Sequence, residues 1–233
     1  MEHRVSGRVA ALVPAAGRGE RLGGGTAKVL REIAGVPVLV HAVRSLTAAP
    51  SIALVVVAAP AADVDVVRAL LGADVLVVPG GESRAESVRC ALAVLPAGYD
   101  VVLVHDAARP FVPRSVVEAV VAAVLGGHDA VVPVLPVADT VKRVGADGRV
   151  VDTLDRSDLY VTQTPQGFRR SVLEAAHAAR SSAATDDAIL VERLGLPVWT
   201  VPGADAAFKV TRPDDLRRAE AVLAGLLLAG RDA

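Results

Sequence analysis

The chain has 233 residues, with 25 Lys and Arg against 26 Asp and Glu, a formal charge of −1. That balance argues against a general nucleic-acid or membrane-surface binder, which carries a basic excess, and a hydrophobic content of 52% excludes global disorder. One cysteine, Cys90, excludes an intramolecular disulfide and a cysteine-rich zinc site, and no apolar run is long enough to cross a bilayer.

Arg4 and Arg8 precede Val9–Val13, but this apolar run stops at Pro14 and a glycine-rich loop follows, unlike a signal peptide. A cytoplasmic protein is the expectation. Short β-branched runs then alternate with longer Ala, Leu, Arg and Glu segments. Strands are predicted at Val9–Val13, Ile52–Ala58, Val75–Val78, Val101–His105, Ala130–Leu135, Val161–Thr164 and Val198–Val201. Helices are predicted at Pro37–Leu46, Ala61–Leu71, Ser83–Leu95, Pro113–Leu125, Ser171–Ala179, Asp186–Leu194 and Pro213–Leu228. Near-continuous apolar strands alternating with helices predict one α/β domain over 1–233: a Rossmann-like, doubly wound, mostly parallel sheet. Cys90 falls on the third helix, as core packing.

One stretch, 137–160, breaks the alternation. Asp147-Gly148 separates Val141–Val144 from Val150–Leu154, a hairpin signal, and both arms are polar and alternating. Such a ribbon is not stable alone. It reads as a protruding β-hairpin dimerisation arm packing on another subunit; an ordinary edge hairpin on the same domain is the alternative.

Four segments carry candidate chemistry. The first strand runs into Pro14-Ala15-Ala16-Gly17-Arg18-Gly19-Glu20-Arg21, and Gly23-Gly24-Gly25-Thr26-Ala27-Lys28 follows. These glycines let backbone N–H groups line a concavity for an anion. Leu22 stands where the dinucleotide fingerprint needs glycine, and Lys28 lacks the P-loop context, so this is a phosphate cradle of another design. The second segment, Gly80-Gly81-Glu82-Ser83-Arg84-Ala85-Glu86-Ser87, lies between a strand and a helix, where free backbone donors read a base or hold an anion. Ser83 and Glu86 also match a capping box. The third, His105-Asp106-Ala107-Ala108-Arg109, ends a strand; Asp106 suits a magnesium ion or a substrate hydroxyl and Arg109 a phosphate, with a buried Asp–Arg structural pair as the alternative. The fourth is Phe208-Lys209-Val210, a short strand leading into the last helix. The five histidines show no metal-ligand spacing, and no nucleophile elbow is present.

Together the segments PAAGRGERLGGGTAK, GGESRAESV, HDAARPF, ADTVKR, TLDRSDLYVTQTPQGF, ATDDAIL and FKVTRPDDL resemble the 2-C-methyl-D-erythritol 4-phosphate cytidylyltransferase family, from Val9 to about Leu223. The resemblance implies transfer of CMP from CTP to 2-C-methyl-D-erythritol 4-phosphate with release of pyrophosphate, with Mg²⁺ on the triphosphate. It also implies a homodimer that exchanges hairpin arms. By residue-to-residue match, Arg21 and Lys28 would stabilise the transition state. Pro14, Ala15, Ala16, Gly17, Gly19, Gly81, Glu82 and Ser87 would bind CTP. Asp106, Arg109, Thr140, Arg156, Thr164, Thr185 and Lys209 would serve the acceptor, with Arg156 and Lys209 also catalytic and Arg156 delivered by the partner's arm. Leu22 replaces the family's usual methionine, and Glu82 its usual aspartate. A ribitol 5-phosphate cytidylyltransferase shares the CTP-side loops and is the neighbouring alternative; a non-catalytic nucleotide-binding homologue is the other. Neither nucleic acid nor membrane is expected as a partner.

Overall fold

The computed structural model describes residues 7–17, 30–179 and 186–229. The strands are β1 (Arg8–Pro14), β2 (Glu32–Ile33), β3 (Val36–Pro37), β4 (Ile52–Ala59), β5 (Val75–Pro79), β6 (Tyr99–Val104), β7 (Ala130–Pro136), β8 (Val141–Val144), β9 (Val150–Leu154), β10 (Tyr160–Thr162), β11 (Gln166–Arg169) and β12 (Trp199–Pro202). The helices are α1 (Val38–Thr47), α2 (Val64–Leu71), α3 (Arg84–Ala93), α4 (Arg114–Leu125), α5 (Arg170–Ala178), α6 (Ala188–Glu192) and α7 (Pro213–Ala229).

Eight strands form the central sheet, which runs β5-β4-β1-β6-β11-β7, with β12 and β10 also on β7. The pairs β1–β4, β1–β6, β4–β5 and β7–β12 are parallel, and β10 and β11 run antiparallel to their neighbours. The chain winds outward from β1 through β4 and β5, then returns to place β6 on the other side of β1. That reversal opens a crevice at the carboxyl ends of these strands, where ligands bind in such sheets.

The two-residue period of β1 divides the core between the faces of the sheet. Val9, Ala11 and Val13 pack with Leu39, Leu46, Val117 and Val120 of α1 and α4. Ala10 and Leu12 pack with Val88, Leu92 and Leu173 of α3 and α5, and with Phe168 of β11. Fully burying one such Val or Leu side chain stabilises by about 1.5–3 kcal/mol, so a core with few aromatic residues is adequate. A third cluster, Ile33, Val38, Phe111, Val210 and Ala219, seats α7.

Several elements depart from the sequence expectation. Val161–Thr164 is not one strand: β10 ends at Thr162, and a separate β11 starts at Gln166 beyond Pro165, which has no N–H for a ladder. The segment 208–210 is not a strand. A 3₁₀ turn, Asp205–Ala207, precedes it, and a backbone bond from Val210 N–H to the Ala108 carbonyl at 2.8 Å ties it down. A 3₁₀ turn, Ala61–Asp63, opens the second predicted helix. The last but one helix contracts to Ala188–Glu192; Asp187 is its N-cap residue, and the Asp186 carboxylate before it accepts from Ile189 N–H at 3.1 Å. The β2–β3 hairpin was not legible in the sequence; its turn residues Ala34 and Gly35 have φ of 49° and 76°.

The hairpin in 137–160 has the predicted bounds. Among the described residues, strands β8 and β9 pair only with each other, as a two-stranded sheet apart from the central one, so the hairpin is not an edge of that sheet. Gly148 takes φ of 82° in its turn. Val144, Val150 and Val151 of this ribbon are exposed, as are Tyr160 and Val161 beside its base.

Candidate active site

The crevice is assembled where three strands stop. Past β1, Ala15 N–H donates to the Ala58 carbonyl at 2.8 Å; past β5, Gly80 N–H donates to the Ala59 carbonyl at 2.7 Å. Past β6, His105 N–H donates to the Leu12 carbonyl at 2.8 Å. These bonds extend the ladders and aim three loops at one rim. The first two touch closely: a Cβ on Gly80 would stand 2.6 Å from the Ala16 Cβ and 2.9 Å from Ser87 Oγ. Ser87 is buried, and its hydroxyl donates to the Ser83 carbonyl at 3.0 Å beneath the Gly81 loop. Ser83 and Glu86 form a complete capping box at the start of α3, so the cap and the loop geometry coexist. Pro14 and Ala16 are half-buried, Ala15 buried, and Gly17 and Glu82 exposed. Gly19, Arg21, Lys28 and Thr185 lie outside the described residues.

Beside these loops is a polar pocket of about 360 Å³ whose lining includes Arg84, Asp106, Arg109, Thr164, Asp186 and Lys209. Asp106 is its centre. One carboxylate oxygen accepts from Lys209 Nζ at 2.7 Å, the other from Arg84 Nε at 3.2 Å, and Arg109 Nε stands 3.8 Å away. Burial works to raise the Asp106 pKa, but the charges of Arg84, Lys209 and Arg109 outweigh it and hold the carboxyl well below the usual carboxylate range. Thr164 Oγ1 accepts from Asp106 N–H at 3.0 Å and lies 3.1 Å from His105 Nδ1.

Arg109 lines the pocket but is tied mainly to the backbone. Its Nη1 and Nη2 donate to the carbonyls of Ala207 (2.7 Å) and Thr162 (3.3 Å), which leaves Nε buried without a hydrogen-bond partner among the described residues. Burial lowers the Arg109 pKa, the Asp106 charge partly restoring it. Thr140 and Arg156, on the exposed ribbon, are not among the residues lining this pocket. The sequence reading also missed Arg84, Asp186 and Asp187, although all three stand in segments it singled out. Arg84 Nη1 donates to Asp187 at 2.6 Å, and Asp187 also accepts from His177 Nε2 at 2.9 Å.

Asp106 does not fit the role of metal ligand that its strand-end position suggested. Both its oxygens are bonded to cationic groups, so a divalent ion there would meet three positive charges. Among the described residues no group of three or more His, Cys, Asp or Glu is placed to hold a metal. No helix among them is long and apolar enough to cross a membrane.

A doubly wound sheet with a charged crevice at the carboxyl ends of its strands defines an α/β protein with a ligand-binding site at its switch point. The family model described as 2-C-methyl-D-erythritol 4-phosphate cytidylyltransferase matches residues 9–225, and the chain belongs to that family. A relative of that name from Frankia casuarinae is 61% identical over 94% of this chain and 82% of its own length. One from Saccharopolyspora erythraea is 56% identical over 93% of this chain and 99% of its own. The crystal structure of the 2-C-methyl-D-erythritol 4-phosphate cytidylyltransferase from Thermus thermophilus superposes with a TM-score of 0.77 at 36% identity, covering 91% of this chain and 97% of that one. A crystal structure of a 4-diphosphocytidyl-2C-methyl-D-erythritol synthase superposes with a TM-score of 0.81 at 32% identity, covering 94% and 100%.

Proposed function

We propose that this chain transfers CMP from CTP to 2-C-methyl-D-erythritol 4-phosphate, a step of isoprenoid precursor biosynthesis. An oxygen of the acceptor phosphate attacks the α-phosphorus of CTP. The bond from that phosphorus to the bridging oxygen breaks, pyrophosphate leaves with the electron pair, and 4-diphosphocytidyl-2-C-methyl-D-erythritol forms. A phosphate monoester is largely ionised at neutral pH, so no general base is required. The reaction instead needs two anions aligned in one place and their charge neutralised.

The observation that carries this reading is the meeting of Asp106, Lys209 and Thr164 in one polar pocket beside the loops 14–17 and 80–82. On this reading the loops take CTP, with Pro14, Ala15, Ala16, Gly17, Gly19, Gly81, Glu82 and Ser87 around the nucleotide. Arg21 and Lys28 neutralise the α-phosphate as pyrophosphate departs. Asp106 accepts an acceptor hydroxyl, Lys209 reaches the attacking phosphate, and Thr164 and Thr185 complete that side. Arg109 contributes charge from the pocket lining. Mg²⁺ enters as the counter-ion of the triphosphate, part of the substrate. Thr140 and Arg156 come from the ribbon of a second copy, which covers the exposed valines and makes the working unit a homodimer. The reading places the enzyme in the cytoplasm.

Purified protein given CTP and Mg²⁺ with each polyol phosphate tests it: pyrophosphate release is expected with 2-C-methyl-D-erythritol 4-phosphate. Faster turnover with ribitol 5-phosphate overturns the acceptor, and no turnover with either overturns catalysis. Arg21→Ala is expected to lose nearly all pyrophosphate release while keeping the native circular-dichroism spectrum.

A further inference from the structure

We infer that Asp187 and His177 are positioning residues for the acceptor side of the site, acting through Arg84 on Asp106. This rests on the reading of Asp106 and Lys209 as acceptor-binding groups. Side chains from separate parts of the chain form an unbroken series. His177 Nε2 meets one oxygen of Asp187 at 2.9 Å, and Arg84 Nη1 donates to the other at 2.6 Å. Arg84 Nε donates to one oxygen of Asp106 at 3.2 Å, and Lys209 Nζ to its other oxygen at 2.7 Å.

Asp187 and His177 are 1% and 3% exposed, and neither is among the residues lining the Asp106 pocket. Their effect on substrate is therefore indirect. Asp187 is ionised: burial would raise its pKa, but the His177 hydrogen bond and the Arg84 charge hold it below its ordinary value. A carboxylate only accepts, which assigns the His177 proton to Nε2.

A guanidinium is a rigid plane, so fixing one edge fixes the direction of the others. With Nη1 held by Asp187, the Nε–H of Arg84 points at one oxygen of Asp106. That contact sets the rotation of the Asp106 carboxylate and presents its second oxygen to Lys209. An Arg84 bound to Asp106 alone would leave the carboxylate free to turn, and the Lys209 ammonium would lose its fixed place at the pocket wall. His177 in turn holds Asp187 against being drawn toward Arg84. Neither residue hydrogen-bonds to residues 14–17 or 80–82 among the described residues; Asp187 meets the second segment only through the Arg84 side chain, which is turned toward Asp106.

The test compares Asp187→Asn, His177→Leu, His177→Gln and Lys209→Ala by steady-state kinetics in both substrates. Asp187→Asn and His177→Leu are expected to raise the acceptor KM about 10- to 100-fold, the scale for losing an outer partner of a ligating group, with the CTP KM changed less than about twofold. His177→Gln, whose amide can still donate to Asp187, is expected to recover most of the acceptor KM. A native acceptor KM in Asp187→Asn, or equal rises for both substrates, overturns the inference while Lys209→Ala still raises the acceptor KM. An unchanged acceptor KM in Lys209→Ala overturns the underlying assignment instead. If Asp187→Asn does not fold, equal behaviour of His177→Gln and His177→Leu overturns the inference.

Discussion

Asp106 and Lys209, 103 residues apart in the chain, are joined at 2.7 Å at the wall of the polar pocket. The Asp106 side chain is only 12% exposed and that of Lys209 41%, so the pair has one more fixed member and one that can reach a ligand. Among the described residues, Lys209 is the most exposed of the three cations around Asp106. Lys209→Ala should therefore lower kcat/KM by about 10²–10³-fold, as for other electrostatic donors aimed at a reacting anion. Steady-state rates of pyrophosphate release check this; a loss below about threefold would contradict it.

Arg84 presents a different balance, because it holds two carboxylates at once, the buried Asp187 and the half-buried Asp106. Burial lowers its pKa, but the charges of Asp187 and Asp106 more than restore it, and the net shift is upward. Arg84→Met fills similar volume and removes the charge, leaving Asp187 with His177 alone. Breaking such a buried pair from one side costs about 3 kcal/mol or more, which for a domain of this size lowers Tm by roughly 10 °C. Thermal unfolding followed by circular dichroism measures it, and a shift under about 2 °C would show that the pairing contributes nothing to the fold.

These two residues mark the boundary of what the sequence discloses. Asp106 and Lys209 stand in compact motifs, and the Asp147-Gly148 turn announces β8 and β9, because the determining physics is local in each case. Arg84 is equally local to GGESRAESV, yet its partners lie 22 and 103 positions away, and no spacing rule encodes that meeting. The strand β11 was hidden for a related reason. Gln166 and Gly167 lack the β-branched composition of a strand, but Gln166 is fully buried and donates to Asp186 at 2.8 Å, while Gly167 lies against Val120 and Leu103 where a side chain has no room. Segment 208–210 has strand-like composition but pairs with no strand among the described residues, so composition alone misread it.

His105 gives stability a dependence on pH. It is fully buried, and burial pushes its pKa down to about 4. The ring is therefore neutral in the native state, Nε2 donating to the Arg109 carbonyl at 3.0 Å and Nδ1 accepting from Thr164. The unfolded chain takes up a proton near pH 6.5, so between about 6.5 and 4 the unfolded state binds more protons and stability falls as pH falls. The slope approaches ~1.4 kcal/mol per pH unit within that window. Urea midpoints at about pH 6.5 and 4.5 should differ accordingly, and His105→Gln should flatten the difference; an identical slope in the variant would place its origin elsewhere.

Gly80 tests the nucleotide side independently of the acceptor side. A methyl group there collides with Ala16 at 2.6 Å and Ser87 at 2.9 Å, so the loops 15–17 and 79–81 must separate. Overpacking of this kind costs about 1–3 kcal/mol. Gly80→Ala is expected to raise the CTP KM about tenfold or more, at about 1.4 kcal/mol per factor of ten, with the acceptor KM nearly unchanged. Isothermal titration with CTP alone gives the same answer without turnover, and native CTP affinity would show that these loops do not hold the nucleotide.

The hairpin arm makes the last prediction. Val150 and Val151 of β9 are 59% and 67% exposed, and Val144 on β8 is 55% exposed. A two-stranded ribbon with so little burial is marginal in isolation, and the proposed second copy packed over it would supply the missing burial. If Arg156 then reaches the partner's acceptor site, each active centre draws on two chains. Arg156→Ala and Lys28→Ala, each inactive as a homodimer, should regain up to about a quarter of native activity per centre when mixed under conditions of subunit exchange. Random pairing makes half of the dimers hybrid, and in each hybrid one centre has both residues intact while the other lacks both. Analytical ultracentrifugation should show a dimer for the native chain and a monomer for a variant carrying Asp at 144, 150 and 151. Exchange without rescue would mean that Arg156 serves its own chain or none.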